Sequence, residues 1–241
     1  MTAKPLVAVT GASSGIGEAT ARAFSAAGHP VLLMARRIER LEAMRLPNSV
    51  CRQADVRDRA MLAAAVRDGE ARFGPVDMMF ANAGIARLGD IGKQNPADWD
   101  EMIAINGNGV VNSVHAVMPG TMNRRHGTLV MMSSIAGRKL YPDHRVCCGT
   151  KYFVHGVSEG LREYLSSYEV RVIVISPGIM ETEVLDGVKD PVTLARYKAD
   201  KSAIGSGIGA EHLADLILDA YNLPQNALVQ EICMTPTRQK Y

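Results

Sequence analysis

The sequence predicts a doubly wound α/β domain, in which a parallel sheet carries helices on both faces. Three observations predict it. Short aliphatic runs alternate with longer segments whose apolar residues fall three and four apart. The runs are apolar throughout rather than at every second residue, as strands buried on both faces require. A glycine-rich loop stands between the first run and the first helical pattern. A length of 241 residues suits one such domain over 1–241.

The first strand is LVAVT (6–10), followed by the helix GIGEATARAFSAAG. PVLLMA (30–35) is the second strand and RIERLEAM its helix. A third strand ends at Asp55 in QADVRD, ahead of the helix RAMLAAAVRDGEARFG. VDMMFA (76–81), TLVMMS (128–133) and VRVIVIS (170–176) supply the next three strands. A helical segment from Pro96 to about Met122 and the helix TKYFVHGVSEGLREYLSSY lie between them. Each helix has one apolar face to lay on the sheet. No repeat or low-complexity linker divides the chain. The stretch after the sixth strand, PGIMETEVLDGVKDPVTLARYKADKSAIGSG (177–207), mixes Gly, Pro, charges and isolated apolar residues. Loops at the carboxyl ends of strands form the crevice of such sheets, so a flexible substrate flap is expected at about 178–207.

The net charge is only +2, which gives no field to attract nucleic acid or an anionic membrane. No run of 18 apolar residues occurs, so no membrane span is expected. The apolar run Pro5 to Val9 is too short for the core of a signal peptide. Cys51, Cys147, Cys148 and Cys233 form neither a CxxC nor a paired framework. Reduced thiols in a cytoplasmic protein without a metal site are expected. Cys147 and Cys148 diverge if helical, which argues against a disulfide between them.

In TGASSGIGEAT, Gly11, Gly15 and Gly17 have the spacing G-x3-G-x-G. Glycines there permit a tight turn and let the backbone approach a pyrophosphate seated on a helix N-terminus. TGASSGIG, ANAG (81–84), SSIAG (133–137), Lys151 and SPG (176–178) occur in that order. Together they resemble the motifs of the short-chain dehydrogenase/reductase family, from residue 5 to about 235. The resemblance implies a Rossmann-type sheet of about seven strands, a nicotinamide cofactor, and a carbonyl or secondary-alcohol substrate. It also implies a homodimer or homotetramer paired through the helices that hold Asn106 and Lys151.

Cofactor contacts are implied at Gly11, Ser13, Ser14, Gly15, Ile16 and Gly17, and at Asp55 and Val56 beside the adenine. Asn82, Ala83, Gly84, Lys151, Pro177, Gly178 and Thr182 complete the set. Asp55 reads equally as an N-cap before the helix that follows, and Asn82 as a tie between the fourth strand and the cofactor loop. Arg36 stands where an enzyme using NAD presents an acid to the ribose 2′-hydroxyl, with Arg37 beside it. Guanidinium groups suit a 2′-phosphate and an acid would repel it, so NADP(H) is the expected cofactor.

Hydride reduction of a carbonyl leaves charge on oxygen, which needs a proton and a polarising donor. The resemblance implies Ser134 as the hydrogen bond to that oxygen. Lys151 would bind the ribose and lower the acid's pKa, and Asn106 would hold a water on the proton path. Ser134 lies thirteen residues before position 147, which favours it over Ser133; Asn108 is the near miss for Asn106. The family's acid is a tyrosine, and here its position holds Cys147, one helical turn before Lys151. Tyr152 should point elsewhere, and Tyr141 starts from a different place, so neither is expected to substitute. A thiol is acidic enough, with a reference pKa of about 8.5 against about 10 for phenol, and a nearby cation favours thiolate. Its reach is the obstacle, because the sulfur hangs one bond from Cβ. Losing a positioned acid typically costs ~10²–10⁴ in rate, or about 3–5 kcal/mol of barrier.

The chain therefore reads as an NADP(H)-dependent oxidoreductase with impaired turnover, an active-site variant whose tyrosine has been exchanged by design. Two alternatives stay open: a natural divergent member that uses Cys147 as a reactive thiol, and a non-catalytic NADP-binding sensor. The substrate pocket is expected around Tyr141 to Arg145 and at Ile179, Met180, Val184 and Leu185. It suits a medium-sized, partly apolar molecule. His144 and Arg145 read as a solvated loop pair or as a site for an acidic group, and Trp99 as interface or core filling.

Overall fold

The computed structural model describes residues 4–240. Seven parallel strands form one sheet: β1 (Leu6–Thr10), β2 (Val31–Ala35), β3 (Ser49–Gln53), β4 (Val76–Ala81), β5 (Gly127–Met132), β6 (Val170–Pro177) and β7 (Glu231–Met234). Their order is β3-β2-β1-β4-β5-β6-β7. The chain builds outward from β1 to β3, then crosses back to place β4 against the other side of β1. A crevice opens at the carboxyl ends where that order reverses.

Alternation of side chains along each strand gives the sheet two apolar faces. Leu6, Ala8, Leu32 and Met79 enter one core with Val114 and Val154, which belong to α5 (Gly109–His115) and α7 (Arg145–Ser166). α3 (Arg59–Phe73) adds Leu62 and Val66 to it. Val7, Val9, Leu33 and Phe80 enter the other core, with Phe24 of α1 (Gly15–Ala26), Leu41 of α2 (Ile38–Ala43), and Leu213 and Ile217 of α9 (Ala210–Asn222). Burying one such side chain stabilises the fold by about 1.5–3 kcal/mol.

The structure departs from the expected elements in three places. The segment from Pro96 to about Met122 is not one regular helix: α4 (Pro96–Met102) passes through a π-helical turn, Ile103–Asn108, into α5. The chain then breaks at Val117 before α6 (Met118–Arg124). Pro119 lies in the first turn of α6, where its missing N–H costs no bond, but it cannot prolong the helix before it. α7 begins at Arg145, ahead of the quoted helix, and includes Cys147 one turn before Lys151 as that spacing requires. α9 and β7 lie beyond residue 207, where no individual helix or strand is expected, although the resemblance implies a seventh strand.

Arg171 of β6 is buried and joins the late elements to the sheet. Its guanidinium donates to Thr128 Oγ1 at 3.1 and 2.9 Å and to the carbonyls of Ala220, Tyr221 and Leu223 at 3.4, 2.8 and 3.0 Å. A cation thus caps the carboxyl end of α9, where the helix dipole favours it.

Candidate active site

A cavity of about 1080 Å³ runs along the crevice. At one end lies the loop between β1 and α1. Gly11 and Gly15 adopt φ of 65° and 57°, the left-handed region that glycine enters without strain. Asn82, just past β4, donates from Nδ2 to the carbonyls of Thr10 and Gly11 at 3.0 and 3.3 Å. Thr10 Oγ1 accepts from the Asn82 and Ala83 amides at 3.1 and 3.3 Å. Strands β1 and β4 are therefore stitched together by side chains where their ladder ends. Gly17 does not line the cavity but supports it from behind: a Cβ there would stand 2.5 Å from both Asn82 Nδ2 and Gly11 O.

Arg36 and Arg37 follow β2 and line the same end. Arg37 donates from Nε and Nη2 to Ser13 Oγ at 3.3 and 3.1 Å and from Nη2 to Ser14 Oγ at 3.0 Å. Asp55 and Val56 form the adjoining wall. The N-cap of α3 is Asp58, which accepts from the amides of Ala60 and Met61, so the N-cap reading of Asp55 is corrected. Asp55 instead receives Arg57 at 2.5–3.1 Å, and that side chain holds its carboxyl below the usual carboxylate range.

Ser134, Cys147 and Lys151 line the same cavity. Ser134 Oγ accepts from the Ala136 amide at 3.1 Å and donates to the Pro177 carbonyl at 3.2 Å. Ser133 donates its hydroxyl to the Lys151 carbonyl at 3.1 Å. Lys151 Nζ donates to the Met132 carbonyl at 3.0 Å. Asn106, in the π-helical turn, is fully buried behind these groups. Its Oδ1 accepts from the Ile85 amide at 2.9 Å, and its Nδ2 donates to the Ile85 carbonyl at 2.9 Å and to Thr150 Oγ1 at 3.3 Å. Asn108, the alternative, is exposed.

Burial works against an activated thiolate at position 147. Desolvation pushes the Cys147 thiol up, and the charge of Lys151 offsets only part of this. Lys151 is itself pushed down by burial. Position 147 therefore presents a neutral thiol.

His144 is also not a solvated loop residue. Its ring lines the cavity, 5.5 Å from Tyr141 and stacked at 6.1 Å on Tyr197. Burial pushes its pKa down to about 4, so the imidazole is neutral. Its neighbour Arg145 is exposed and donates to the Pro142 carbonyl. Tyr152 is exposed, as expected, and Tyr141 lines the cavity. Trp99 donates to Gln94 Oε1 at 3.1 Å and packs on the small core around Cys147 and Met102.

The segment expected to be a flap contributes to the cavity lining. It contains a 3-10 turn at Glu183–Gly187 and helix α8 (Pro191–Ala203), and Met180 bridges to Ile208 just beyond it. Ile179, Met180, Val184 and Leu185 line the cavity, as do Pro177, Gly178 and Thr182. The sequence reading missed four contributors. Arg87 binds Glu101 at 3.1 Å and the Gly187 carbonyl at 3.1 Å. Gln239 Oε1 accepts from the Ile179 amide at 2.9 Å. Tyr197 has its phenol pushed up to about 12 by burial. Glu183 pairs with Arg37 and Arg40. Only Arg87, a lone cation three residues after ANAG, left a local signal.

Among the described residues no group of His, Cys, Asp and Glu is placed to hold a metal, and no helix is long and apolar enough to cross a membrane. A doubly wound sheet, a left-handed glycine loop at its switch point and a serine–lysine pair beyond it define a dinucleotide-binding oxidoreductase scaffold. The family model described as short chain dehydrogenase matches residues 5–192, and the chain belongs to that family. It is 31% identical over 246 residues to the NADP-dependent 3-hydroxy acid dehydrogenase YdfG of Salmonella typhi, covering 98% of this chain and 96% of that protein. It is 35% identical over 249 residues to the sulfoacetaldehyde reductase of Chromohalobacter salexigens, covering 98% and 95%. The closed form of a serine dehydrogenase complexed with NADP+ superposes with a TM-score of 0.90 at 32% identity, covering 98% and 96%.

Proposed function

We propose that the chain is an NADP(H)-dependent oxidoreductase acting on a carbonyl or secondary alcohol, with turnover limited by Cys147. The observation that carries the cofactor reading is Arg37, whose guanidinium lies on Ser13 and Ser14 of the glycine loop beside Arg36. The loop fits a pyrophosphate, because its positive-φ glycines leave the backbone open to close approach. Gly84 fits the same picture: a Cβ there would come within 3.3 Å of Asn106 Oδ1 and 3.8 Å of Lys151 Nζ. When bound, the dinucleotide supplies or accepts the hydride.

The chain's own residues do the rest. Ser134 turns its hydroxyl from the Pro177 carbonyl to the substrate oxygen and polarises it. Lys151 holds the ribose end, and Asn106 fixes the backbone of Ile85 at the cavity wall. In this reading Cys147 stands where the family has its tyrosine acid. Its sulfur is too short to reach the substrate oxygen, and its burial keeps the thiol protonated. The reactive-thiol alternative draws no support from such a group, because nucleophilic cysteines are exposed and low in pKa. The exposed apolar side chains of Ile103, Tyr152 and Phe153, on the π-helical turn and α7, support pairing of subunits through these helices.

Cys147→Tyr tests the reading. NADPH oxidation against a panel of carbonyls should rise by ~10²–10⁴. No gain, with NADP+ still bound, would leave a binding protein in place of an enzyme. Thermal stabilisation by NADP+ beyond that by NAD+ tests the arginine assignment separately.

A further inference from the structure

We infer that Glu183 of the flap occupies the seat of the adenosine 2′-phosphate, so that the flap and the cofactor compete for the same guanidinium groups. The inference rests on the NADP reading above and deepens it. Arg37 Nη1 meets Glu183 Oε2 at 3.3 Å, while the rest of that guanidinium lies on Ser13 and Ser14. Arg40, the third residue of α2, donates from Nη1 to both Glu183 oxygens at 2.8 and 2.9 Å. A single carboxylate thus bridges two arginines at the mouth of the glycine loop.

Glu183 follows Thr182, whose Cγ2 lies 3.2 Å from where a Cβ on Gly15 would stand. The 3-10 turn it opens is held at its far end by Arg87 on the Gly187 carbonyl at 3.1 Å. Just beyond, Lys189 Nζ meets Asp98 Oδ1 at 2.8 Å. The turn is therefore fastened at two points, one on the phosphate side and one on the substrate side.

A phosphomonoester carries about −1.5 to −2 charge and three acceptor oxygens at neutral pH, against one charge and two oxygens for a carboxylate. Both anions cannot share the seat, since each would repel the other. Binding of NADP+ displaces Glu183 and releases the phosphate side of the turn, while Arg87 keeps the substrate side in place. NAD+, lacking the phosphate, leaves Glu183 where it is. The displaced contacts are half-exposed ion pairs, so the penalty on NADP+ is modest.

The test is calorimetric titration of NADP+, 2′,5′-ADP and NAD+ into the wild type, Glu183→Gln and Asp186→Asn. Asp186 lies in the same turn without an arginine partner and controls for bulk charge. Glu183→Gln should tighten NADP+ and 2′,5′-ADP roughly three- to tenfold and leave NAD+ within twofold. Asp186→Asn should change neither. Unchanged or weaker NADP+ binding in Glu183→Gln overturns the inference, as does equal tightening of NAD+. If wild type shows no preference for NADP+ over NAD+, the cofactor reading itself fails. A preserved preference with an inert Glu183→Gln removes this inference alone.

Discussion

Gly17→Ala probes the joint between the phosphate loop and the sheet. The added Cβ would lie 2.5 Å from Gly11 O and from Asn82 Nδ2, where ordinary contact begins at 3.4 Å. Both neighbours must retreat by nearly an ångström. Asn82 Nδ2 bonds the Thr10 and Gly11 carbonyls, so the retreat strips part-buried polar groups of their partners. Overpacking costs about 1–3 kcal/mol, and each unsatisfied group about 1–3 kcal/mol. A total of about 2–4 kcal/mol is expected after relaxation, which lowers Tm by roughly 5–15 °C in a protein of this size. If the loop holds the pyrophosphate as proposed, the Kd for NADP+ should rise at least tenfold, because Gly11 lines the cavity beside the displaced atoms. Differential scanning calorimetry of the apoprotein and calorimetric titration measure the two effects. A variant with wild-type Tm and wild-type Kd would refute the account of this joint.

Two further outcomes follow from the buried titratable groups. Burial holds His144 at a pKa of about 4 in the fold, against 6.5 for the free imidazole. The unfolded chain therefore binds the extra proton between those values, so stability is lost as pH falls from about 6.5 towards 4. Denaturant titrations at pH 7 and 4.5 should differ by about 2 kcal/mol more in the wild type than in His144→Phe; an equal loss in both would remove His144 as the cause. Among the thiols, exposed Cys233 should react quickly with a disulfide reagent in the folded protein, while Cys147 and Cys148 wait for unfolding. Rapid labelling of Cys147, mapped by peptide mass, would restore the reactive-thiol reading.

What the sequence made legible was local. Strands such as VRVIVIS and the glycine loop are written in contiguous residues, and a side chain's place on a strand follows from its neighbours. Arg36 and Arg37 were legible for the same reason, because charge at the end of a buried strand has few explanations. The missed features are those that arrive from far along the chain. Glu183 reaches Arg37 across 146 positions, and Gln239 reaches Ile179 across 60. His144 looked solvated until Tyr197 of α8 was laid against it. Strand β7 escaped because it is four half-exposed residues at a sheet edge, carried there by its pairing with β6 rather than by propensity. The apolar face of α9, with Leu213, Ile217 and Tyr221, does carry helical spacing and was within reach of the sequence.

The buried guanidinium of Arg171 has a consequence for synthesis. Three of its acceptors, the carbonyls of Ala220, Tyr221 and Leu223, are translated some fifty residues after it. Until they leave the ribosome, closing β6 into the interior would leave the guanidinium with only the Thr128 hydroxyl as hydrogen-bond partner and the charge of Asp77 nearby. The nascent domain is thus kept from settling early, and a chain cut short ahead of residue 220 should be a substrate for chaperones rather than a smaller native protein.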